Sequence, residues 1–222
     1  TSVVGIPPLL PSYGGLLLKK EVTILDQIMQ HPKKPFVAII GGKKITTKIK
    51  FVNKLITVAD YLLLGGGLAN TLLLAQGQHL GKSIVSEEDL KIAKRILSHA
   101  KKEQTEILVP RDVVVGNSLN VKESAVKRVD ALSEHDIILD IGPETEADFG
   151  AAISKAQTIV WNGPVGLTEN PVFKRGTDFL YYAITENTQA TSVIGGGDTL
   201  AAIAKKEYLD KITHISTAGG AM

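Results

Sequence analysis

Phe36-Val37-Ala38-Ile39-Ile40-Gly41-Gly42 carries the architecture of this chain in miniature. Five apolar residues run without alternation and stop at a glycine pair. A strand that is apolar at every position is buried on both faces, which calls for a parallel sheet covered by helices on each side. The arrangement recurs along the chain. Tyr61-Leu62-Leu63-Leu64 precedes Gly65-Gly66-Gly67, Ile137-Ile138-Leu139-Asp140-Ile141 precedes Gly142, and Thr158-Ile159-Val160-Trp161-Asn162 precedes Gly163. Ser192-Val193-Ile194 precedes Gly195-Gly196-Gly197, and His214-Ile215-Ser216-Thr217-Ala218 precedes Gly219-Gly220. Two shorter runs, Glu106-Ile107-Leu108-Val109 and Asp112-Val113-Val114-Val115, flank Pro110 and can add strands.

Helical patterns fill the intervals. Tyr13 to Gln30 carries apolar residues at Leu17, Val22, Leu25, Ile28 and Met29 and stops at His31-Pro32. Lys44 to Thr57 sets Ile45, Ile49, Val52 and Ile56 at helical spacing. Glu87 to Glu103 opens behind Ser86 with acids in its first turn, an N-terminal signature. Glu144 to Ala156 follows Pro143, Pro171 to Asn187 begins with a proline, and Thr199 to Lys206 follows Asp198. Strand, glycine, helix, strand is an α/β pattern. The expectation is one three-layer, Rossmann-like domain: a mostly parallel sheet of about six strands flanked by helices.

The composition narrows the function. With 222 residues the chain can bury a core without staples. It contains no cysteine, which excludes disulfides, zinc-thiolate sites and cysteine nucleophiles, and fits a reducing compartment. A net charge of +2 does not point to a nucleic-acid partner. No apolar run is long enough to span a membrane, and the first residues lack the layout of a signal peptide. These features leave a small-molecule ligand, rather than nucleic acid or a membrane, as the reading.

The 21 glycines exceed the usual share of about 7%. Steric need in a strand-to-helix turn explains any one of them. Their repetition after successive strands points instead to a ligand edge, because open α/β sheets bind ligands outside the carboxyl ends of their strands. Phosphate suits this edge. From Gln27 to Ala59 there is no acid, yet there are seven lysines. Lys44 and Lys48 lie four apart directly after Gly41-Gly42, sharing a helical face. Lys33, Lys34, Lys50 and Lys54 read as a solvated face. Gly195-Gly196-Gly197-Asp198-Thr199 offers backbone donors, a hydroxyl and a carboxylate able to hold Mg²⁺, which needs only one or two carboxylates beside phosphates. The plainer role for Asp198 is to cap the following helix. Asn162-Gly163-Pro164-Val165-Gly166 is a rigid turn rich in hydrogen-bonding groups.

Two segments imitate other sites. Gly77-Gln78-His79-Leu80-Gly81-Lys82-Ser83 nearly spells a P-loop, but its first glycine is one residue too close and no apolar strand leads into it. It reads as a surface turn between helices. Gly65-Gly66-Gly67-Leu68-Ala69-Asn70 resembles a dinucleotide fingerprint but ends in asparagine. The acids about 20 residues on, Glu87 and Glu88, open a helix, where the ribose-binding acid should close a strand. An NAD-binding oxidoreductase domain therefore stands only as an alternative.

Taken in order, the motifs resemble phosphoglycerate kinase, specifically its C-terminal nucleotide-binding domain, over essentially residues 1–222. The resemblance runs through Val4-Gly5-Ile6, Pro35 to Gly42, Leu64-Gly65-Gly66-Gly67 and Leu139-Asp140-Ile141-Gly142-Pro143. It continues through Val160-Trp161-Asn162-Gly163-Pro164-Val165-Gly166, Ile194-Gly195-Gly196-Gly197-Asp198-Thr199 and His214-Ile215-Ser216-Thr217. It implies reversible phosphoryl transfer between 1,3-bisphosphoglycerate and ADP, giving 3-phosphoglycerate and ATP, in glycolysis and gluconeogenesis. Lys44 would accompany the transferring phosphoryl group, near Gly219 and Gly220, and Lys48 would meet the nucleotide phosphates. Asp198 would hold Mg²⁺, with Gly196, Gly197 and Thr199 presenting donors to phosphate. Gly65, Gly66, Ile84 and Leu139 would line the adenine pocket. Asn162, Pro164, Gly166 and Glu169 would lie along the nucleotide, Glu169 on the ribose.

The sequence departs from the family pattern at four places. Lys43 stands for a common alanine, Thr47 for an aspartate, Thr168 for a phenylalanine and Ala218 for the first of three closing glycines. These changes bear on transfer efficiency and leave open a non-catalytic nucleotide-binding module. The family's N-terminal domain, which binds the phosphoglycerate and supplies an arginine, has no counterpart in these 222 residues, nor has its C-terminal tail. The expectation is that the chain is part of, or a proteolytic product of, a two-domain enzyme, with little turnover alone because closure of both domains assembles the site.

Overall fold

β1 (Phe36–Ile40) runs through the middle of a six-stranded sheet in a computed structural model that describes residues 2–43, 46, 48–85, 87–203 and 207–217. Its neighbours are β2 (Tyr61–Leu64) and β7 (Thr158–Asn162), which pair in parallel at Ile40↔Leu64 and Ile40↔Asn162. Outside them lie β3 (Glu106–Leu108), β8 (Thr191–Gly195) and β9 (His214–Ile215), giving the order β3-β2-β1-β7-β8-β9 with every neighbour parallel. The unbroken apolar runs find their reason here. Phe36, Ala38 and Ile40 face one core and Val37 and Ile39 the other, all fully buried.

The first core lies under α2 (Leu16–Gln30), α3 (Ile49–Ile56), α4 (Gly66–Ala75) and α5 (Leu90–Glu103). The second lies under α6 (Pro143–Lys155), α7 (Arg175–Glu186) and α8 (Gly197–Ile203). A short α1 (Ser2–Gly5) and a 3₁₀ turn at Pro7–Leu9 precede them. Helix starts differ from expectation by a few residues. The first long helix begins at Leu16 rather than Tyr13, and Glu87–Asp89 is a 3₁₀ turn leading into α5. α3 begins at Ile49 rather than Lys44, so Lys48 precedes the helix instead of sharing a helical face with Lys44.

One strand is not where the sequence puts it. Ile137–Ile141 does not join the parallel sheet. It is β6 of a second, antiparallel sheet with β4 (Asp112–Gly116) and β5 (Ala125–Arg128), in the order β5-β4-β6. The sixth parallel place belongs to β3. Only Val109, Pro110 and Arg111 separate β3 from β4, whereas a parallel crossover needs a dozen residues or more, so the chain must leave the main sheet there. The small sheet packs on α4 through Leu73, Leu80, Val113, Val115 and Val129. α4 is thus covered on two sides, which is why its sequence is apolar nearly all round.

Candidate functional site

The carboxyl ends of β1, β2, β7 and β8 open on the same edge, and the small sheet overhangs them. Between the two lies a cleft of about 230 Å³. Gly42 and Lys43 enter it after β1, Gly66 and Gly67 after β2, the segment 164–169 after β7 and Asp198 after β8. The opposite wall is apolar: Ile84, Leu119, Ile138 and Leu139. One end therefore suits a flat apolar group, the other a group that accepts hydrogen bonds from backbone and lysine.

The floor is built from Lys48. Its Nζ donates to Gly41 O (2.7 Å), Asn162 O (3.0 Å) and Asn162 Oδ1 (2.8 Å), lacing the ends of β1 and β7 together. Gly163 follows at φ +98°, and a Cβ there would lie 2.6 Å from that Nζ, so the close approach requires glycine. The Gly163 N–H donates to the buried Thr199 Oγ1 at 2.7 Å, which ties in the first turn of α8. Burial pushes the Lys48 ammonium down to about 8, against the pull of the nearby Asp198 carboxylate.

The phosphoglycerate kinase family model matches residues 1–222. The phosphoglycerate kinase of Dictyoglomus turgidum is 43% identical over 223 residues, covering 99% of this chain and 56% of that protein. That of Thermosipho africanus is 43% identical over 224 residues, with the same two coverages. The structure of phosphoglycerate kinase from Coxiella burnetii superposes with a TM-score of 0.89 at 41% identity, covering 93% of this chain and 53% of that one. The chain belongs to the phosphoglycerate kinase family. It spans about half the length of these relatives.

Of the residues that the phosphoglycerate kinase resemblance selects, Gly66, Ile84, Leu139, Pro164, Gly166, Glu169 and Asp198 line the cleft. Gly65, Asn162 and Thr199 are buried beneath it, where they shape the floor, and Lys48 is turned inward with them. Gly196 and Gly197 are at the end of β8 and the start of α8 without lining the cleft. Lys44, Gly219 and Gly220 lie outside the described residues, as do Thr47 and Ala218. Lys43 and Thr168, two of the departures from the family pattern, do line the cleft.

Other residues escaped the sequence. Asn70 lines the cleft and is nearly fully buried, and its Nδ2 donates to Ile84 O at 3.2 Å, holding the apolar wall. A lone amide in an apolar helix was its only signal. Leu119 comes from the connection within the small sheet, where no local pattern announces it, and Ile138 from β6, whose apolar run marks a strand but not a cleft wall. Among the imitations, Gly77 to Ser83 is a turn after α4, with Gly77 and Gly81 at positive φ. Glu87 and Glu88 are exposed in their 3₁₀ turn and not in the cleft. Family membership sets the oxidoreductase alternative aside.

A second polar assembly stands at the far edge of the sheet. Glu21 of α2 is buried against the end of β9. Its Oε1 accepts the Thr217 N–H (2.8 Å) and the Thr217 hydroxyl (3.1 Å). Its Oε2 accepts the Ser216 hydroxyl (2.9 Å) and lies 3.2 Å from His214 Nε2. Burial pushes this carboxyl up, but the Thr217 backbone and the His214, Ser216 and Thr217 side chains together outweigh it and hold the group at about 2.

Proposed function

We propose that residues 1–222 form the nucleotide-binding half of a phosphoglycerate kinase, and that its cleft holds Mg-ADP or Mg-ATP. The observation that carries this reading is the division of the cleft, with Ile84 and Leu139 at one end and Gly42, Lys43, Gly66 and Asp198 at the other. Adenine lies against the apolar wall, Glu169 takes the ribose hydroxyls, and the phosphates run toward the glycine turns of β1 and β2. The glycines let the backbone of these turns lie close to the phosphates, and Lys43 adds charge.

Asp198 fits a magnesium site. It stands exposed at the first turn of α8 and lines the cleft, and among the described residues no group of three or more metal-binding side chains surrounds it. A single carboxylate with phosphate oxygens and water is the donor set that Mg²⁺ accepts. When bound, the ion neutralises phosphate charge.

In the reaction, a terminal oxygen of the ADP β-phosphate attacks the acyl phosphate of 1,3-bisphosphoglycerate. The new P–O bond forms as the bond to the carboxyl oxygen breaks, and 3-phosphoglycerate leaves as a carboxylate with its electron pair. No protein nucleophile or proton acceptor is required, so the chain's residues act by position and charge. Lys44, Gly219 and Gly220 are assigned to the transferred group, and Lys48 to the floor under the phosphates. The phosphoglycerate is held by the remaining half of the enzyme. The reading includes a monomeric, cytoplasmic protein acting in glycolysis and gluconeogenesis, without nucleic-acid or membrane partners.

Titration calorimetry of the intact protein with ADP in the presence of Mg²⁺ tests it. Saturable binding with one site per chain is expected. Absence of ADP and ATP binding, or preferential binding of NAD(H), overturns the reading.

A further inference from the structure

Asp140 is the buried acid of β6, 1% exposed, and follows directly on Leu139 of the cleft wall. Its Oδ2 accepts the Gly176 N–H at 2.8 Å and its Oδ1 the Ile141 N–H at 2.9 Å. Gly176 is in the first turn of α7. The next residue, Thr177, is fully buried, and its Oγ1 accepts the Val165 N–H at 3.2 Å. The Val165 carbonyl in turn accepts the Gly66 N–H at 3.1 Å, and the Val165 side chain fills the space above Gly65. Leu167 N–H returns to Leu139 O at 2.8 Å. Between Val165 and Leu167, a Cβ on Gly166 would overlap the Asp140 carboxylate, so the loop after β7 rests on that acid. One series of contacts thus connects the end of β6, the first turn of α7, the loop after β7 and the glycine cluster after β2.

We infer that Asp140 is a positioning residue of the nucleotide cleft, setting the separation of its Leu139 and Gly66 walls through the first turn of α7 and Val165. The inference rests on the nucleotide reading above. The role is served best by an ionised acid, because each carboxylate oxygen then accepts one N–H bond at full strength with no O–H of its own to place. Burial pushes this carboxyl up, the Gly176 and Ile141 N–H groups pull it down, and the neighbouring Glu146 and Asp178 add repulsion, leaving it at about 7. The charged groups facing it are Glu146 on α6 and Asp178 on α7. Arg175 Nη2 lies 3.0 Å from Glu146 Oε2, and Lys174 Nζ lies 3.9 Å from Asp178 Oδ1. β4 sets the uncharged Val114 opposite. Protonation turns one oxygen into a weaker, uncharged acceptor that must also place its own O–H, which loosens the clamp, so nucleotide affinity falls as pH drops through this range.

Calorimetry with Mg-ADP on the intact protein decides it, comparing wild type, Asp140→Asn, Thr177→Val and Thr177→Ser at about pH 8 and about pH 6. Asp140→Asn is expected to raise the Kd for ADP roughly tenfold at the higher pH, the loss of one hydrogen bond to a charged group. It should also remove part of the weakening seen at the lower pH. The nucleotide's own titration is common to all variants and cancels. The KM for phosphoglycerate stays unchanged. If Asp140→Asn does not fold, Thr177→Val decides: it should weaken ADP binding, while Thr177→Ser keeps wild-type affinity. Folded variants that bind ADP within about twofold of a binding-competent wild type overturn this inference alone. A wild type that binds no nucleotide overturns the nucleotide reading and this inference with it.

Discussion

Glu21 collects contacts from three residues at the end of β9, and those residues lead directly into the closing glycines at 219 and 220. Its low folded pKa makes that assembly sensitive to acid. The folded pKa is depressed from 4.5 to about 2, so its contribution is present above 4.5 and is lost as pH falls toward 2. Thermal melts across this range should show wild-type stability falling with acid, and Glu21→Gln should flatten that dependence while lowering stability near neutrality. Nothing in the sequence singles out Glu21, because its partners lie more than 190 residues away. The opposite holds for Asp198, which its motif names, and for Glu169, which the family resemblance names; both line the cleft. Lys48 falls between. Its motif marks it as phosphate-binding, yet its ammonium is engaged by three protein oxygens, a placement that depends on β7 lying beside β1.

At the scale of elements, the strands of the main sheet are legible because burial on both faces leaves an unbroken apolar run. β6 is misassigned because its run looks the same. It is buried by α4, the cleft loop and the second core rather than by two helical layers. What marks its true place is a spacing, the three residues between β3 and β4. The start of α6 gives a second case. Gly142 and Pro143 supply no side-chain cap, and the N–H groups of Glu144 and Thr145 are instead accepted by the Asp112 carboxylate of β4, at 3.0 and 2.8 Å. This cap, reinforced by the Thr145 hydroxyl at 2.7 Å from Asp112 Oδ1, fastens the small sheet to the helical layer. Asp112→Ala should destabilise the fold by about 2 kcal/mol, the cost of losing a cap and leaving buried donors unpaired. Denaturant titration should show a lower midpoint with an unchanged slope.

At the scale of the molecule, the cleft draws on four strand ends of one sheet and one wall of another, so a ligand that fills it braces both. A nucleotide at a hundredfold excess over its Kd should add about 2.7 kcal/mol to stability, read as a rise in unfolding temperature. Asp198→Ala should diminish that rise with Mg-ADP while leaving the unliganded melting temperature near wild type, since Asp198 is exposed. The α/β class and the ligand edge are readable from sequence because they repeat. The overhang of the small sheet occurs once and follows from tertiary packing. The clasp between α2 and β9 also orders events during synthesis. β9 is about 190 residues downstream of Glu21, so α2 leaves the ribosome long before its polar partners exist. Until β9 is made, an acid destined for burial has only water, and the apolar side chains at Ile24, Leu25, Ile28 and Met29 must hold the helix on the sheet unaided. The polar part of α2's docking can therefore be completed only after β9 is made, because the partners of Glu21 all lie in it or directly after it.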